Sequence, residues 1–203
     1  VQWLTRLGSA GSDAGRSLTI DSNSNVYTTG IFAGTRFAVY RAATVFSTLT
    51  TSGSNDAFIV KYNTNGSPQW AAKIASTTSE TGHGIATDSD GNLYVTGTGA
   101  TLTAFSSNGV AFGTTIANSG GFDAFIVKYN TSGIVQWVAR VASNSDDIGF
   151  SAATDSGGNV YVTGQGGSSA VVTAFSSNGV AFGTTIANSW ITDTFIVKYN
   201  TSG

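Results

Sequence analysis

A unit of about 67 residues occurs three times in the 203-residue chain, and it constrains the fold more than any other feature. The dipeptide Gln-Trp begins at positions 2, 69 and 136. The motif Asp-Ala-Phe-Ile-Val-Lys-Tyr-Asn-Thr begins at 56 and 123 and returns, with one substitution, at 193. The units cover approximately 1–67, 68–134 and 135–203. Three similar units therefore account for nearly the whole chain and leave no room for a second kind of domain.

Each unit is predicted to form four strands separated by turns, so the sequence indicates an all-β protein. In the Trp segment of the second unit, Trp70, Ala72 and Ile74 alternate with other residues, as on a strand with one buried face. A strand of small residues follows at 84–87, then a polar turn at 88–92 and a Tyr-bearing strand. The Phe-Ile-Val-Lys-Tyr motif ends the unit. No window of adequate length has helical periodicity.

Four strands per repeat are typical of the blades of a β-propeller. The strand rich in Ala, Gly, Ser and Thr suits the innermost position, where blades crowd around the axis. The Phe-Ile-Val strand is apolar on both faces, as expected for a sheet packed between two neighbours. We therefore expect three four-stranded propeller blades.

The repeat resembles a known family in three motifs, found at Gly84 to Gly97, Asp123 to Asn130 and Gln136-Trp137. Together they are similar to the bacterial SBBP-type β-propeller repeat, and the resemblance covers all three units. It implies a propeller fold and a secreted or cell-surface protein. The family has no catalytic signature that could be transferred to residues of this chain.

Three blades are too few for a closed propeller, which has roughly four to eight. We expect an incomplete ring, closed by other copies or by further repeats of a longer chain. The favoured mechanism is strand exchange, in which residues 1–7 of one copy complete the last blade of another beside residues 193–199. A dimer giving six blades is favoured; a trimer giving nine and an open filament are alternatives. The predicted assembly interface consists of Val1, Gln2, Trp3, Leu4, Leu7, Phe195, Val197 and Tyr199.

Several ionisable residues recur at equivalent positions and form a candidate polar site. Asp13, Glu80 and Asp147 are equivalent, and Arg16 and His83 follow at the next equivalent position. In a closed ring these side chains could line a channel mouth and bind a cation or polar ligand, but the favoured interpretation is that the carboxylates cap loops. The turn at 88–92 resembles a calcium loop only weakly, because the distal Glu is missing, so a plain turn is favoured.

No catalytic, cofactor or metal site is predicted. The chain has no Cys and one His, so it lacks a thiolate metal site and a His-based metal site within one chain. Only 10% of residues are charged and the net charge is −2, which argues against a nucleic-acid partner. No apolar run approaches the roughly 18 residues of a membrane span, so membrane insertion is not expected. The leading hypothesis is a non-enzymatic extracellular assembly module; the alternative is a multivalent glycan- or ligand-binding propeller.

A stretch of 17 residues at 103–119 is identical to that at 173–189. Asn108-Gly109 lies between short apolar alternations and predicts a two-residue hairpin, hence an extra hairpin on the second and third blades. Recent duplication explains the identity more simply than a repeated binding loop. Trp190, in a predicted loop, is a candidate exposed contact. Three Asn-X-Ser sequons lie in predicted turns, and their glycosylation is left open: Asn65, Asn130 and Asn200.

Overall fold

The computed structural model describes residues 2–167, 171–187 and 192–203, and these residues form strands joined by turns, without a helix. The predicted all-β class is therefore confirmed. No helix in the described part of the chain is long and apolar enough to cross a membrane.

The strands follow the three sequence units. The first unit contains β1 (Leu7–Gly8), β2 (Asp13–Ile20), β3 (Val26–Ala33), β4 (Phe37–Arg41), β5 (Thr44–Leu49) and β6 (Asn55–Tyr62). The second contains β7 (Pro68–Ala75), β8 (Thr81–Thr87), β9 (Leu93–Gly99), β10 (Thr103–Ala104) and β11 (Asp123–Tyr129). The third contains β12 (Val135–Ala142), β13 (Ile148–Thr154), β14 (Val160–Gly166), β15 (Val171–Phe175), β16 (Ala181–Ala187) and β17 (Asp193–Tyr199).

The strands pair into antiparallel blades with a repeated order. The first blade runs β2-β3-β6-β7 and the second β8-β9-β11-β12. In both, the outer strand is the Trp strand of the following unit. The third blade contains β13, β14 and β17 in the same order. The predicted four-stranded blade is thus present twice, while ring closure stays a prediction.

The innermost strands β2, β8 and β13 lie side by side, which explains their small residues. A Cβ atom on Gly84 would lie 2.7 Å from the Cα of Ser151 and 2.9 Å from the carbonyl oxygen of Phe150. Any larger side chain would therefore push the second and third blades apart. The sequence-based placement of the small-residue strand next to the axis agrees with this packing.

The predicted extra hairpins are present, but on different blades. The insert of the second unit pairs through β10 with β7, and the insert of the third unit, β15 and β16, pairs with β12. They therefore extend the first and second blades, not the second and third, because each outer strand belongs to the next unit. The first unit forms a similar insert hairpin, β4 and β5, which pairs with β1.

The predicted two-residue turn at Asn108-Gly109 is wrong. Gly109 donates its N–H to the Ser106 carbonyl at 2.8 Å, and Ser106 donates to the Val110 carbonyl at 2.8 Å, which closes a three-residue loop. Gly109 alone supplies the left-handed residue, with φ of 80°, whereas Asn108 keeps a negative φ. A type I turn followed by a left-handed glycine has this form.

The tryptophans of the outer strands pack between blades. The Trp70 ring lies 6.0 Å from that of Tyr27 in the first blade and 6.3 Å from that of Tyr129 in the second. Its indole N–H donates to the Thr131 carbonyl at 3.1 Å. Trp137 repeats this arrangement between the second and third blades. Neighbouring blades are thus joined by an apolar core and by indole hydrogen bonds.

Candidate functional site

The outer edge of β17 is open. In the described part of the chain β17 pairs with β14 and with no second strand. Its equivalents β6 and β11 are paired on both sides. The face of β17 that a following blade would cover is also bare, because Ile196 is 73% exposed whereas Ile59 and Ile126 at the same position are fully buried against the next blade. This edge is the first half of the candidate site.

The second half is the segment of residues 2–8, which we call the docking segment. The Trp3 ring stacks on Tyr62 at 6.1 Å, and the Thr5 hydroxyl donates to the Tyr40 carbonyl at 3.0 Å. Leu7 and Gly8 form β1 and pair with β4. The equivalent strands β7 and β12 have a second strand on their other side, but β1 has none among the described residues. The docking segment is therefore held in place on one edge and open on the other.

Leu4 is the most exposed apolar residue of the docking segment. It is 90% exposed, while its equivalents Ala71 and Val138 are 5% and 2% exposed. Ala71 belongs to the apolar cluster formed with Phe37 of the first insert hairpin, and Val138 to the cluster containing Ile116 of the second. In the completed blades, the side chain at this position is covered by an insert hairpin.

A cavity of about 570 Å³ lies between β17 and the third insert hairpin. In the second blade, the corresponding space holds Val138 of the outer strand. The lining of the cavity is largely apolar and includes Val172, Phe182, Ile186, Phe195, Val197 and Tyr199.

Ion pairs join the outer strand to its neighbour in the first two blades. Lys73 Nζ lies 3.3 Å from Asp56 Oδ2, and Arg140 Nη1 lies 2.9 Å from Asp123 Oδ2. Burial raises the pKa of Asp123 to about 6, against the opposing effect of the Arg140 charge. Burial likewise raises the pKa of Asp56. Arg6 holds the equivalent position in the docking segment and has no ion pair within the residues that the structure describes.

The acidic residues predicted to line a channel mouth lie inside their own loops. Glu80 and Asp147 are fully buried. The Ser76 N–H donates to Glu80 and the Ser143 N–H to Asp147, each at 2.6 Å, and Asp13 accepts a similar bond from the serine four residues before it. Burial raises the pKa of both buried carboxyl groups. These hydrogen bonds are the ones that the loop-capping alternative predicts, and a channel mouth lined by these carboxylates stays a prediction.

The structure does bring Arg16 and His83 together with Phe150. Each is the extra residue of a β-bulge at the same place in an inner strand. The His83 and Phe150 rings meet edge to face at 6.1 Å. Burial, and secondarily the charge of Arg16, lowers the pKa of His83. We call these three residues the bulge row. A β-bulge commonly changes the direction in which a side chain leaves its strand.

The turn carboxylates are occupied within their own turns. Asp88 Oδ1 accepts the N–H groups of Asp90 and Asn92, and Oδ2 accepts the Asn92 amide and the Tyr94 hydroxyl, all at 2.9–3.1 Å. The two equivalent turns repeat this pattern. Across the described ranges, no group of three or more His, Cys, Asp or Glu side chains is placed to hold a metal ion.

Two of the predicted contact residues are not described by the structure, and the sequence-based interface missed others. Val1 and Trp190 lie outside the described residues. The sequence-based interface omitted Arg6 and the insert hairpin that borders the cavity. Arg6 could have been found from its alignment with Lys73 and Arg140, because all three hold the same position in the repeat.

Comparisons with known proteins agree with the repeat architecture. The β-propeller repeat model SBBP matches residues 2–30 and 69–100, which confirms the resemblance to this repeat in those parts of the first two units. The chain is also 28% identical, over 222 aligned residues, to an uncharacterized WD repeat-containing protein, L264, of Acanthamoeba polyphaga mimivirus. That alignment covers the whole chain but only 16% of the relative.

Proposed function

We propose that this chain, whose first two units match the SBBP β-propeller repeat, is a non-enzymatic interaction module that assembles with copies of itself by strand exchange. The single observation that carries the proposal is the pair of complementary open edges, β17 and the docking segment. Open edges bordered by apolar side chains readily accept a strand from another chain. The repeat match and the WD-repeat relative support a role in protein interaction in general.

In this proposal the docking segment of one copy adds antiparallel to β17 of another. The third blade then gains the four-stranded order of the first two blades. Two copies that exchange segments in both directions form six blades, within the usual range of roughly four to eight. Three copies that exchange segments head to tail would close a ring of nine blades, and exchange that does not close gives a filament.

The docking segment is suited to this role because it is already ordered. The Trp3 stack and the pairing of β1 with β4 hold it on its own chain. Association therefore orders few additional groups, which lowers its entropic cost.

Light scattering coupled to size exclusion tests the proposal. We expect a particle of twice the 20.7 kDa chain mass that dissociates on dilution. A peptide with the sequence of residues 1–8 should compete for β17 and lower the mass, whereas a scrambled peptide should not. A chain that stays at 20.7 kDa at its highest soluble concentration contradicts the proposal.

The bulge row supports a second candidate function, a multivalent ligand-binding propeller. Arg16 supplies hydrogen-bond donors and the half-exposed Phe150 ring supplies an apolar platform, a combination that suits glycans or carboxylate ligands. A glycan array tests it, with Arg16→Ala and Phe150→Ala as variants that should lose any signal. An array without a response from the unmodified chain counts against this function.

We also propose a secreted or cell-surface location, supported by the resemblance to repeats common in such proteins. Cell fractionation with protease protection tests this: the chain should be found in the medium or be cleaved on intact cells.

A further inference from the structure

We infer that Leu4 of one copy fills the cavity beside β17 of a second copy, and that Arg6 sets the register by pairing with Asp193. This inference rests on the proposed strand exchange and names the side chains that recognise the partner. In its own chain Leu4 is 90% exposed, and Arg6 has no ion pair among the residues that the structure describes.

The register follows from the two completed blades. Val60 lies opposite Ala71 in the first blade, and Val127 lies opposite Val138 in the second. Leu4 holds the position of Ala71 and Val138 in the repeat, and Val197 that of Val60 and Val127. The same register therefore places Leu4 opposite Val197, which lines the cavity.

The cavity fits an aliphatic side chain at this point. In the second blade, Val138 packs in one cluster with Leu102 and Ile116 of the insert hairpin. In the third blade, the equivalent hairpin residues Val172 and Ile186 border the cavity. Leu4 is 90% exposed in its own chain, so its burial there removes almost a whole leucine side chain from water.

Arg6 adds an ion pair that can form only in this register. In the second blade, the Arg140 guanidinium lies 4.2 Å from the centre of the Phe175 ring and reaches Asp123. The Arg6 guanidinium already lies 4.0 Å from the centre of the Tyr40 ring, so its side chain has the same support. Asp193 holds the repeat position of Asp123 on β17. A register that joins Leu4 to Val197 brings Arg6 to Asp193.

A disulfide test reads the register directly, since the chain has no cysteine of its own. We expect the double variant Leu4→Cys with Val197→Cys to form intermolecular disulfides on mild oxidation, because facing residues of antiparallel strands lie roughly 4.5–5.5 Å apart at Cα. The control, Leu4→Cys with Thr194→Cys, should remain reduced. Non-reducing electrophoresis separates the outcomes. A link confined to the monomer band, or equal linking in the control, overturns the inference.

Affinity tests the two side chains separately. Leu4→Ala should weaken association on the order of 10- to 100-fold, while Val110→Ala, at an exposed hairpin tip, should leave it unchanged. Arg6→Glu should also weaken association, and adding Asp193→Arg should restore it. Thermal unfolding of dilute samples checks that each variant folds.

The outcomes separate the two proposals. If the unmodified chain is a monomer, strand exchange itself fails. If it associates but Leu4→Ala binds as tightly as the unmodified chain, strand exchange stands and the Leu4 inference is overturned. A chain that associates without rescue by Asp193→Arg overturns the Arg6 pairing alone.

Discussion

Ser24 adopts a backbone conformation that glycine holds in the equivalent turns. Its φ is 61°, while Gly91 and Gly158 have φ of 77° and 74°. A left-handed residue with a Cβ costs roughly 1–2 kcal/mol, and glycine avoids that cost. We expect Ser24→Gly to raise the free energy of unfolding by about 0.5–1 kcal/mol, after the larger chain entropy of glycine is subtracted. Chemical denaturation at a fixed protein concentration measures the change.

The reciprocal substitution is the control. Gly91→Ser should lower the free energy of unfolding by a similar amount, because it introduces the strain that Ser24 already carries. If both variants shift stability in the same direction, the conformational explanation fails.

Asp123 makes the stability of the fold depend on pH. Burial raises its pKa to about 6, above the 3.8 of an exposed Asp, despite the Arg140 ion pair. The folded chain therefore binds this proton more tightly than the unfolded chain, so the stability contribution is full below pH 3.8 and is lost as the pH rises through about 6. We expect the stability difference between Asp123→Asn and the unmodified chain to change by roughly 3 kcal/mol at most across that window. Urea titrations at several pH values measure it.

Asp155 provides the contrasting case. The Asn159 side-chain amide donates to this carboxylate and lowers its pKa to about 2. Its stabilising contribution is present above the unfolded pKa of 3.8 and is lost as the pH falls through 2. The effect of Asp155→Asn should therefore change with pH only in strong acid. A flat difference for Asp123→Asn between pH 4 and 7 would contradict the burial argument.

At the scale of strands, the sequence predicted most of the pairing because the repeats align one with another. The Phe-Ile-Val strand was expected to be apolar on both faces, and β11 is buried along its whole length. Turns were harder, since Asn-Gly is compatible with two loop types and only the hydrogen bonds at Ser106 separate them. The hairpin of β4 and β5 carries no glycine signal: Ala42 supplies the left-handed residue there, with φ of 52°.

The candidate site was only partly predictable for a similar reason. Leu4 and Val197 follow from repeat positions, which are visible in the sequence. The cavity depends on how the third insert hairpin packs beside β17, which no local pattern encodes. The sequence left open whether Glu80 lines a channel mouth or caps its loop, and the structure shows that donors of its own loop, including the Ser76 N–H, bond to its carboxylate.

The contact between inner strands leads to a prediction at Gly84. A Cβ there meets the backbone of Ser151 at 2.7 Å, and backbone atoms cannot move aside as a flexible side chain can. We expect Gly84→Ala to lower the free energy of unfolding by about 1–3 kcal/mol through overpacking between β8 and β13. Gly113→Ala is the matched control, since no atom lies within 4 Å of its Cβ position. Thermal and urea unfolding should show loss only for Gly84→Ala; equal stability of the two variants would argue against the close approach.

In the molecule as a whole, each blade meets the next at the outer strand and again near the axis. A Cβ on Gly82 would lie 2.1 Å from the Thr29 hydroxyl, and one on Gly149 would lie 2.1 Å from the Thr96 hydroxyl. Gly15 holds the same repeat position, and no atom lies within 4 Å of its Cβ position. If copies join with the geometry of neighbouring blades, Gly15 of one copy meets Thr163 of the next. The interface between copies then extends from the docking segment inward to the propeller axis.

Gly15→Val tests whether the copies meet in this way. Within one chain the new side chain enters open space, so the free energy of unfolding of a dilute sample should stay within about 0.5 kcal/mol of the unmodified value. Between copies it would clash where Gly82 and Gly149 fit closely, so association measured by analytical ultracentrifugation should weaken by about tenfold or more. Gly82→Val is the comparison, because its clash lies inside one chain and should reduce folding stability. Unchanged association of Gly15→Val would show that copies are joined through the docking segment alone, without blade-to-blade contact near the axis.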